Sequence, residues 1–363
     1  MRKATKKLTV IDLFVGCGGL SYGLEMAGFG ILLGTDFWRD CLDTFQYNHK
    51  NSKILCGDIR KVKSDEIARS ARTPRPTLVV GGPPCQGFSL SGPRKFYDER
   101  NRLYLEFLRV VKDLRPRGFI IENVPGLAGL FGGTIKERII EEFSKLGYKV
   151  SAKIMDASDY GVPQSRKRIV FVGLKGAGFE FPEPTHFNGS ENGDVPAHGQ
   201  RKLTVQDAIA DLPHLNGYKG AEEMPYESRP RNEYQAMMRK GSPAIFNHVA
   251  SNHTKQTTDI VSLVPEGGNY KDLPRHLKNT RNFHIAWTRL DRKKPSPTID
   301  TGHRHHFHPT ANRIPTVRES ARIQSFPDTF RFLGTKTSQY KQVGNAVPPL
   351  LAYAIGKKIL KYL

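Results

Sequence analysis

The sequence predicts an α/β protein: a doubly wound sheet built from the first half of the chain, followed by a smaller, loop-rich domain. Three observations predict it. Short apolar runs of strand length recur through residues 8–174, and stretches of helical length separate them. Alternation of this kind builds strand–helix–strand units in which helices cover both faces of a sheet. The polar clusters of this half fall just after the apolar runs, and ligands sit outside the carboxyl ends of strands in such sheets. Beyond about Leu174 the character changes. Residues 176–250 are rich in Gly, Pro, Asn and His and hold one clear helical piece, TVQDAIADL.

In order along the chain, LTVIDLF reads as the first buried strand, followed by a glycine turn and a helix from near Leu20. ILLGTD is the second strand, and a helical run follows from Trp38 to about His49. KILCGD, TLVVGG, GFIIENV and RIVFVGL are further strands, with the helix RLYLEFLRVVKDL among them. On alternation alone the sheet is parallel. The expected domains are 1–177 for the sheet, 178–335 for the small domain, and 336–363 for a returning C-terminal segment. The end of that segment, LLAYAIGKKILKYL, is amphipathic and suits packing back onto the first domain.

Composition narrows the class. The chain has 363 residues, enough for two domains, and 38% hydrophobic with 25% charged residues is ordinary for a globular protein. Lys and Arg outnumber Asp and Glu by 56 to 35, a formal charge of +21. That excess favours a polyanionic partner, nucleic acid being the commonest. No apolar run approaches the ~20 residues that span a bilayer, and MRKATKKLTV lacks a secretory apolar region. A cytoplasmic location without membrane contact is the expectation. The four cysteines, Cys17, Cys41, Cys56 and Cys85, are widely spaced without a C-x-x-C pair, so neither a zinc site nor a disulfide framework is expected.

Five motifs carry chemistry. DLFVGCGGLSYG, Asp12–Gly23, sets glycines between a strand and a helix, where backbone amides can approach a ligand closely. It suits a nicotinamide, a flavin or S-adenosylmethionine. Asp36 and Asp58 follow the next two strands, where an acid can accept from ribose hydroxyls. GGPPCQGFS, Gly81–Ser89, puts Cys85 in a loop at the ligand edge, stiffened by two prolines. A thiolate nucleophile needs electropositive company there, whereas Cys17, Cys41 and Cys56 read as small buried hydrophobes. IIENV ends in an acid, Glu122, suited to proton chemistry. In PQSRKRIVFVG, Arg166 and Arg168 alternate on a strand and share one face. QVGNAVPP is a loop entering a helix. In GHRHHFHP, His303, His305, His306 and His308 lack the carboxylate or cysteine of a metal site, so solvated or phosphate-facing histidines and no metal are expected.

Together these motifs resemble the DNA (cytosine-5) methyltransferases of the bacterial modification type, in that family's order. FVGCGG resembles the cofactor loop, PPCQGFS the nucleophile motif, ENV the acid motif and QSRKR the arginine motif. RESARIQSFPDTFRF and QVGNAVPP resemble the last two. The resemblance implies the doubly wound mixed sheet of S-adenosylmethionine-dependent methyltransferases, with a small target-recognition domain. It implies methyl transfer to C5 of cytosine in duplex DNA on a flipped-out base, with S-adenosyl-L-methionine as the cofactor. Cys85 would add to C6, Glu122 would bond N3 and the exocyclic amine, and Arg168 would contact O2 with Arg166 beside it and Gln164 supporting the loop. Phe14, Gly16, Cys17, Gly18, Gly19, Leu20, Asp36, Phe37, Asp58, Ile59, Pro83, Leu103, Asn345 and Val347 would surround the cofactor. Gln86, Ser89, Arg94, Lys95, Arg100, Arg102 and Gln164 would face DNA, the cations on a loop that closes over phosphates. The tRNA-acting branch is the rival, but it departs from the GFS that follows CQ here. A monomer partnered with a cognate restriction or defence system, near the nucleoid of a bacterium, completes the expectation.

Overall fold

The structure, a computed structural model, describes residues 8–84, 103–129, 133–188, 198–215, 219–280, 286–300 and 306–363. The chain divides into two compact units. The large one comprises Met1–Ala157, Lys167–Glu183 and Pro349–Leu363, the small one Ser158–Arg166 and Pro184–Pro348.

The large unit opens with β1 (Thr9–Leu13), α1 (Gly19–Ala27), β2 (Gly30–Asp36), α2 (Arg39–Asn48), β3 (Lys53–Cys56) and α3 (Ser64–Ser70). There follow β4 (Leu78–Gly81), α4 (Leu103–Leu114), β5 (Gly118–Asn123), α5 (Gly126–Gly129), α6 (Thr134–Lys145), β6 (Lys149–Asp156) and β7 (Lys167–Leu174). The seven strands form one sheet in the order β3-β2-β1-β4-β5-β7-β6. The first five pair in parallel, but β7 is antiparallel to both β5 and β6. The sheet is therefore mixed, as the family resemblance implies and the alternation alone does not. The link from β6 to β7 carries only a short 3-10 turn, Ala157–Tyr160, and a parallel pair needs a longer crossover, usually a helix.

The strand β6 is hidden in the sequence because KVSAKIMD is half-exposed and carries Lys149, Lys153 and Asp156, as an edge strand does. The core is apolar. Ile11, Leu13, Val79, Phe119 and Phe171 of the strands pack with Phe107 and Val110 of α4 and Phe143 of α6. Register brings the carboxyl ends together: Leu13 lies opposite Thr35 and Gly81, and Gly81 opposite Ile121. Cys56, expected to be buried, is exposed, because β3 is the other edge of the sheet.

The small unit is assembled from short pieces. They are β8 (His186–Phe187), β9 (Gln200–Arg201), α7 (Val205–Ile209), β10 (Gly220–Met224), α8 (Glu233–Arg239) and β11 (Ile245–Val249). Then come α9 (Lys255–Ser262), β12 (Thr288–Arg289), β13 (His306–Phe307), α10 (Val317–Ile323) and α11 (Lys336–Asn345). Its strands pair only in twos among the described residues. Side chains do what a sheet would do elsewhere. Thr204 and Thr316 form capping boxes with Asp207 and Glu319 at the starts of α7 and α10. Arg318, fully buried, donates to the carbonyls of Phe246, Pro327 and Phe330. Arg322, also fully buried, pairs with Asp211 at 3.0 Å and Asp328 at 2.6 Å. His308, expected to be solvated or phosphate-facing, is buried instead. Its Nδ1 accepts from the amides of Thr310 and Ala311, because it caps the turn they form.

The chain then returns to the large unit as α12 (Pro349–Ile359), which lies on α1. Gly23 makes this possible, since a Cβ there would sit 2.3 Å from the carbonyl oxygen of Pro349. Residues 336–348 belong to the small unit. Among the described residues, no helix is long and apolar enough to cross a membrane.

Candidate active site

The site starts from the sheet edge of the large unit. Glu122 stands in β5, opposite Val170 of antiparallel β7. Arg168 is two residues from Val170 and so on the same face, a diagonal neighbour within reach of a long side chain. Arg168 Nε lies 2.9 Å from Glu122 Oε1, and both side chains are nearly buried. On the neighbouring strand, Gly82 follows β4. A Cβ there would come within 3.2 Å of Glu122 Oε2, so the bare backbone allows the carboxylate to lie against it. The next residue of β5, Asn123, donates from Nδ2 to the carbonyl of Pro83 at 2.9 Å. The Gly82–Pro83 segment is thus held from β5 by Asn123, with the Glu122 carboxylate lying beside it. Cys85 itself, with Gln86, Ser89, Arg94, Lys95, Arg100 and Arg102, lies outside the described residues.

The glycine loop runs from β1 to α1. Phe14 has φ 61°, a left-handed conformation unusual for a residue with a Cβ, and such strain gathers at functional sites. Gly16 donates its amide to Asp36 Oδ2 and Trp38 its amide to Asp36 Oδ1, each at 3.0 Å. Burial raises the Asp36 carboxyl above its usual range. Gly18, at φ 98°, caps α1, and a Cβ on it would meet His49 Nε2 at 2.5 Å. Gly19 and Leu20 form the first turn of α1, both buried. Cys17 is buried and its thiol is pushed up to about 12 by burial, which leaves it no nucleophile at neutral pH. Phe37 is 74% exposed and offers a free aromatic face beside Asp36. Asp58 is held by Arg60 at 2.6 Å, whose hydrogen bonds lower its pKa. Ile59 and Pro83 are buried and Leu103 half-buried.

Two expectations about the arginine motif change. Arg166 precedes β7 and belongs to the small unit, so it does not share a strand face with Arg168. Its guanidinium is buried and donates to the carbonyls of Gly344 at 2.9 Å and Ile299 at 3.4 Å. Gln164, expected both to support the loop and to face DNA, is fully buried and bonded through both ends of its amide, to Gln324 and to the Ile299 amide. It braces the loop. Asn345, exposed, and Val347, buried, also stand on the small unit.

The sequence reading missed Asp12 as a titrating group. It is buried, accepts from Ser21 Oγ at 2.6 Å, and burial raises its pKa to about 7. An acid inside an apolar strand run was the available signal. Among the described residues no group of three or more His, Cys, Asp or Glu side chains could hold a metal ion.

A mixed seven-stranded sheet with a glycine loop at its carboxyl edge has the fold of S-adenosylmethionine-dependent methyltransferases. A protein of E. coli described as a DNA modification methyltransferase encoded within a prophage shares it, at TM-score 0.76 and 27% identity over 98% of this chain and 99% of that one. The chain belongs to the C-5 cytosine-specific DNA methylase family, whose model matches residues 8–361, and is a DNA cytosine-5 methyltransferase. It is 38% identical to the Type II methyltransferase M.DdeI of Desulfomicrobium norvegicum, over 98% of this chain and 89% of that protein. It is 40% identical to the Type II methyltransferase M1.HphI of Haemophilus parahaemolyticus, over 98% and 87%.

Proposed function

We propose that this enzyme methylates C5 of cytosine within one duplex DNA sequence, through a covalent bond between Cys85 Sγ and C6 of a base turned out of the helix. The observation that carries the reading is the Glu122–Arg168 pair, 2.9 Å apart, lying against the Gly82–Pro83 backbone that leads to Cys85. A ring carbonyl and a ring nitrogen need one fixed cation and one fixed acid side by side, and the pair supplies both.

Cytosine C5 is a poor nucleophile. The Cys85 thiolate adds to C6 while Glu122 delivers a proton to N3, leaving an enamine whose C5 carries the electron pair. Arg168 holds O2 and keeps the Glu122 carboxyl in line. When bound, S-adenosylmethionine supplies an electrophilic sulfonium methyl. Once C5 is methylated, N3 returns its proton to Glu122, the C5 proton leaves to a solvent base, and the electron pair of that C–H bond expels Cys85 as thiolate. The base must first leave the stack, which costs a few kcal/mol.

The cofactor reading is supported by the loop itself. Nothing lies within 4 Å of the Cβ position at Gly16, so a ligand can approach the backbone there. Asp36 ends the second strand, beside the glycine loop whose Gly16 amide it accepts from, the position at which an acid meets ribose hydroxyls in such sheets. Phe37 offers a stacking face and Ile59 and Pro83 an apolar wall. Asn345 and Val347 are the contacts proposed on the small unit. The bacterial relatives are named Type II methyltransferases, which supports a restriction-modification setting. The +21 charge supports a duplex partner held partly through phosphates.

Duplex DNA carrying 5-fluorocytosine tests the chemistry, because fluorine at C5 cannot leave as a proton. With S-adenosylmethionine, wild-type protein should form an adduct that survives denaturing electrophoresis, and Cys85→Ser should form none. Glu122→Gln should still bind cofactor and DNA but lose most turnover. Methylation without a trapped species, or trapping by Cys85→Ser, would overturn the covalent route.

A further inference from the structure

A helix leaves its last four carbonyls without partners inside the helix. The last turn of α11 carries Asn345, and two of its carbonyls are closed from elsewhere in the small unit. Arg166 Nη2 donates to the Gly344 carbonyl at 2.9 Å, a cation at the negative end of the helix. Gln324 Nε2 donates to the Val343 carbonyl at 2.8 Å and reaches that of Ala346 at 3.5 Å. Gln324 follows α10 and is fully buried.

Its other end is used as well. Gln324 Oε1 accepts from Gln164 Nε2 at 2.8 Å, and Gln164 Oε1 accepts from the Ile299 amide at 2.9 Å. The bonds run one way, from the Ile299 amide through Gln164 and Gln324 to the Val343 carbonyl. Each amide donates and accepts, so neither can flip or shorten without stranding a buried polar atom. Two buried amides are an expensive way to fill space when apolar side chains would serve. What they add is direction. Asn345 stays exposed while the backbone on both sides of it is clamped to the loop that carries Gln164 and Arg166.

We infer that Gln324 is a positioning residue for cofactor binding: it sets Asn345 through the Val343 carbonyl and ties that setting to the Arg166 loop through Gln164. The inference rests on reading Asn345 as a cofactor contact. Gln324→Met keeps length and removes the hydrogen bonds. S-adenosylmethionine binding by calorimetry should weaken about tenfold, with KM for the cofactor following and kcat within about threefold of wild type. Gln164→Met should weaken binding about threefold, and the double variant should be no worse than Gln324→Met, because the relay is already broken.

Gln339→Met is the control. Its Nε2 closes the carbonyls of Phe332 and Gly334 in the same unit, so it should lower thermal stability and leave cofactor affinity unchanged. A loss of kcat at constant KM in Gln324→Met, or additive effects in the double variant, would make Gln324 a packing residue and overturn the inference. If Gln324→Met does not fold, unchanged affinity in Gln164→Met overturns it equally. Asn345→Ala separates the two levels. If it leaves affinity intact, the reading of Asn345 falls; if it weakens binding while Gln324→Met does not, only the role of Gln324 falls.

Discussion

The large and small units satisfy a buried backbone with different materials. In the large unit a ladder of strands pairs the amides and carbonyls, and the core is filled by side chains such as Val79, Phe107, Phe119 and Phe143, all fully buried. In the small unit, guanidinium groups take over much of the ladder's work. Arg318 closes three carbonyls, and Arg289 donates to those of Val261, His308 and Ala311. Five donors in a rigid fork suit loops whose carbonyls point in different directions. A loop-rich unit of this sort is ordered by paired charge, and it responds to charge where an apolar core responds to volume.

The largest effect that could break the comparison is expected from Arg322→Met. It removes the cation that Asp211 and Asp328 share and leaves Asp211 to Arg239 and Asp328 to Tyr226 and Arg318, and losing one partner of a buried ion network costs about 3–5 kcal/mol. Thermal unfolding should show a large drop in midpoint, and an unchanged midpoint would mean that the small unit is held by something other than its arginines.

The pH response should differ in sign between the units. Asp12 titrates near 7 folded against 3.8 as its ordinary value. The folded state therefore keeps a proton that the unfolded chain has released, and stability falls as pH rises from about 4 to 7. Asp12→Asn should flatten that fall, a gain on the order of 4 kcal/mol at pH 7 to 8, read from denaturant midpoints across pH. No gain there would return Asp12 to an ordinary carboxylate.

His308 behaves the other way. Burial lowers it from 6.5 to about 4, so its stability contribution is complete above about pH 6.5 and is lost as pH falls towards 4. His308→Gln should remove on the order of 2 kcal/mol of acid sensitivity, visible as a flatter profile between pH 6 and 4.

The smallest change concerns space. Gly82→Ala puts a methyl 3.2 Å from Glu122 Oε2, enough to displace the carboxylate slightly. Stability should barely move while turnover falls about tenfold, since misplacing a catalytic group is costly. Equal turnover would show that Glu122 has room to spare.

Much of the large unit is legible because its central strands bury both faces and read as unbroken apolar runs. The antiparallel turn at β7 was not, since RIVFVGL looks the same in either direction. Arg166 and Arg168 looked like strand neighbours because period two is visible in sequence, whereas the crossing to another unit between them is not. The small unit shows in sequence only as a loop-rich, polar stretch. Arg318, Arg322, Gln324 and His308 are polar in sequence and buried in space, and only the partners that satisfy them distinguish a core guanidinium from a solvated one. Glu122 was recognised from its place after an apolar strand, but its pairing with Arg168 required the register.

The seat for α12 on α1, opened by Gly23, has a consequence for the order of assembly. On the ribosome, α1 is among the first helices made, while its cover emerges only after the entire Pro184–Pro348 stretch. Joining segments so far apart in sequence is entropically slow. The large unit should therefore pass through a state with its sheet formed and the Leu20–Leu24 side of α1 still bare, a target for chaperones. Pulsed hydrogen exchange during refolding should find the α1 and α12 amides protected later than those of β1, β4 and β5, and simultaneous protection would exclude such a state.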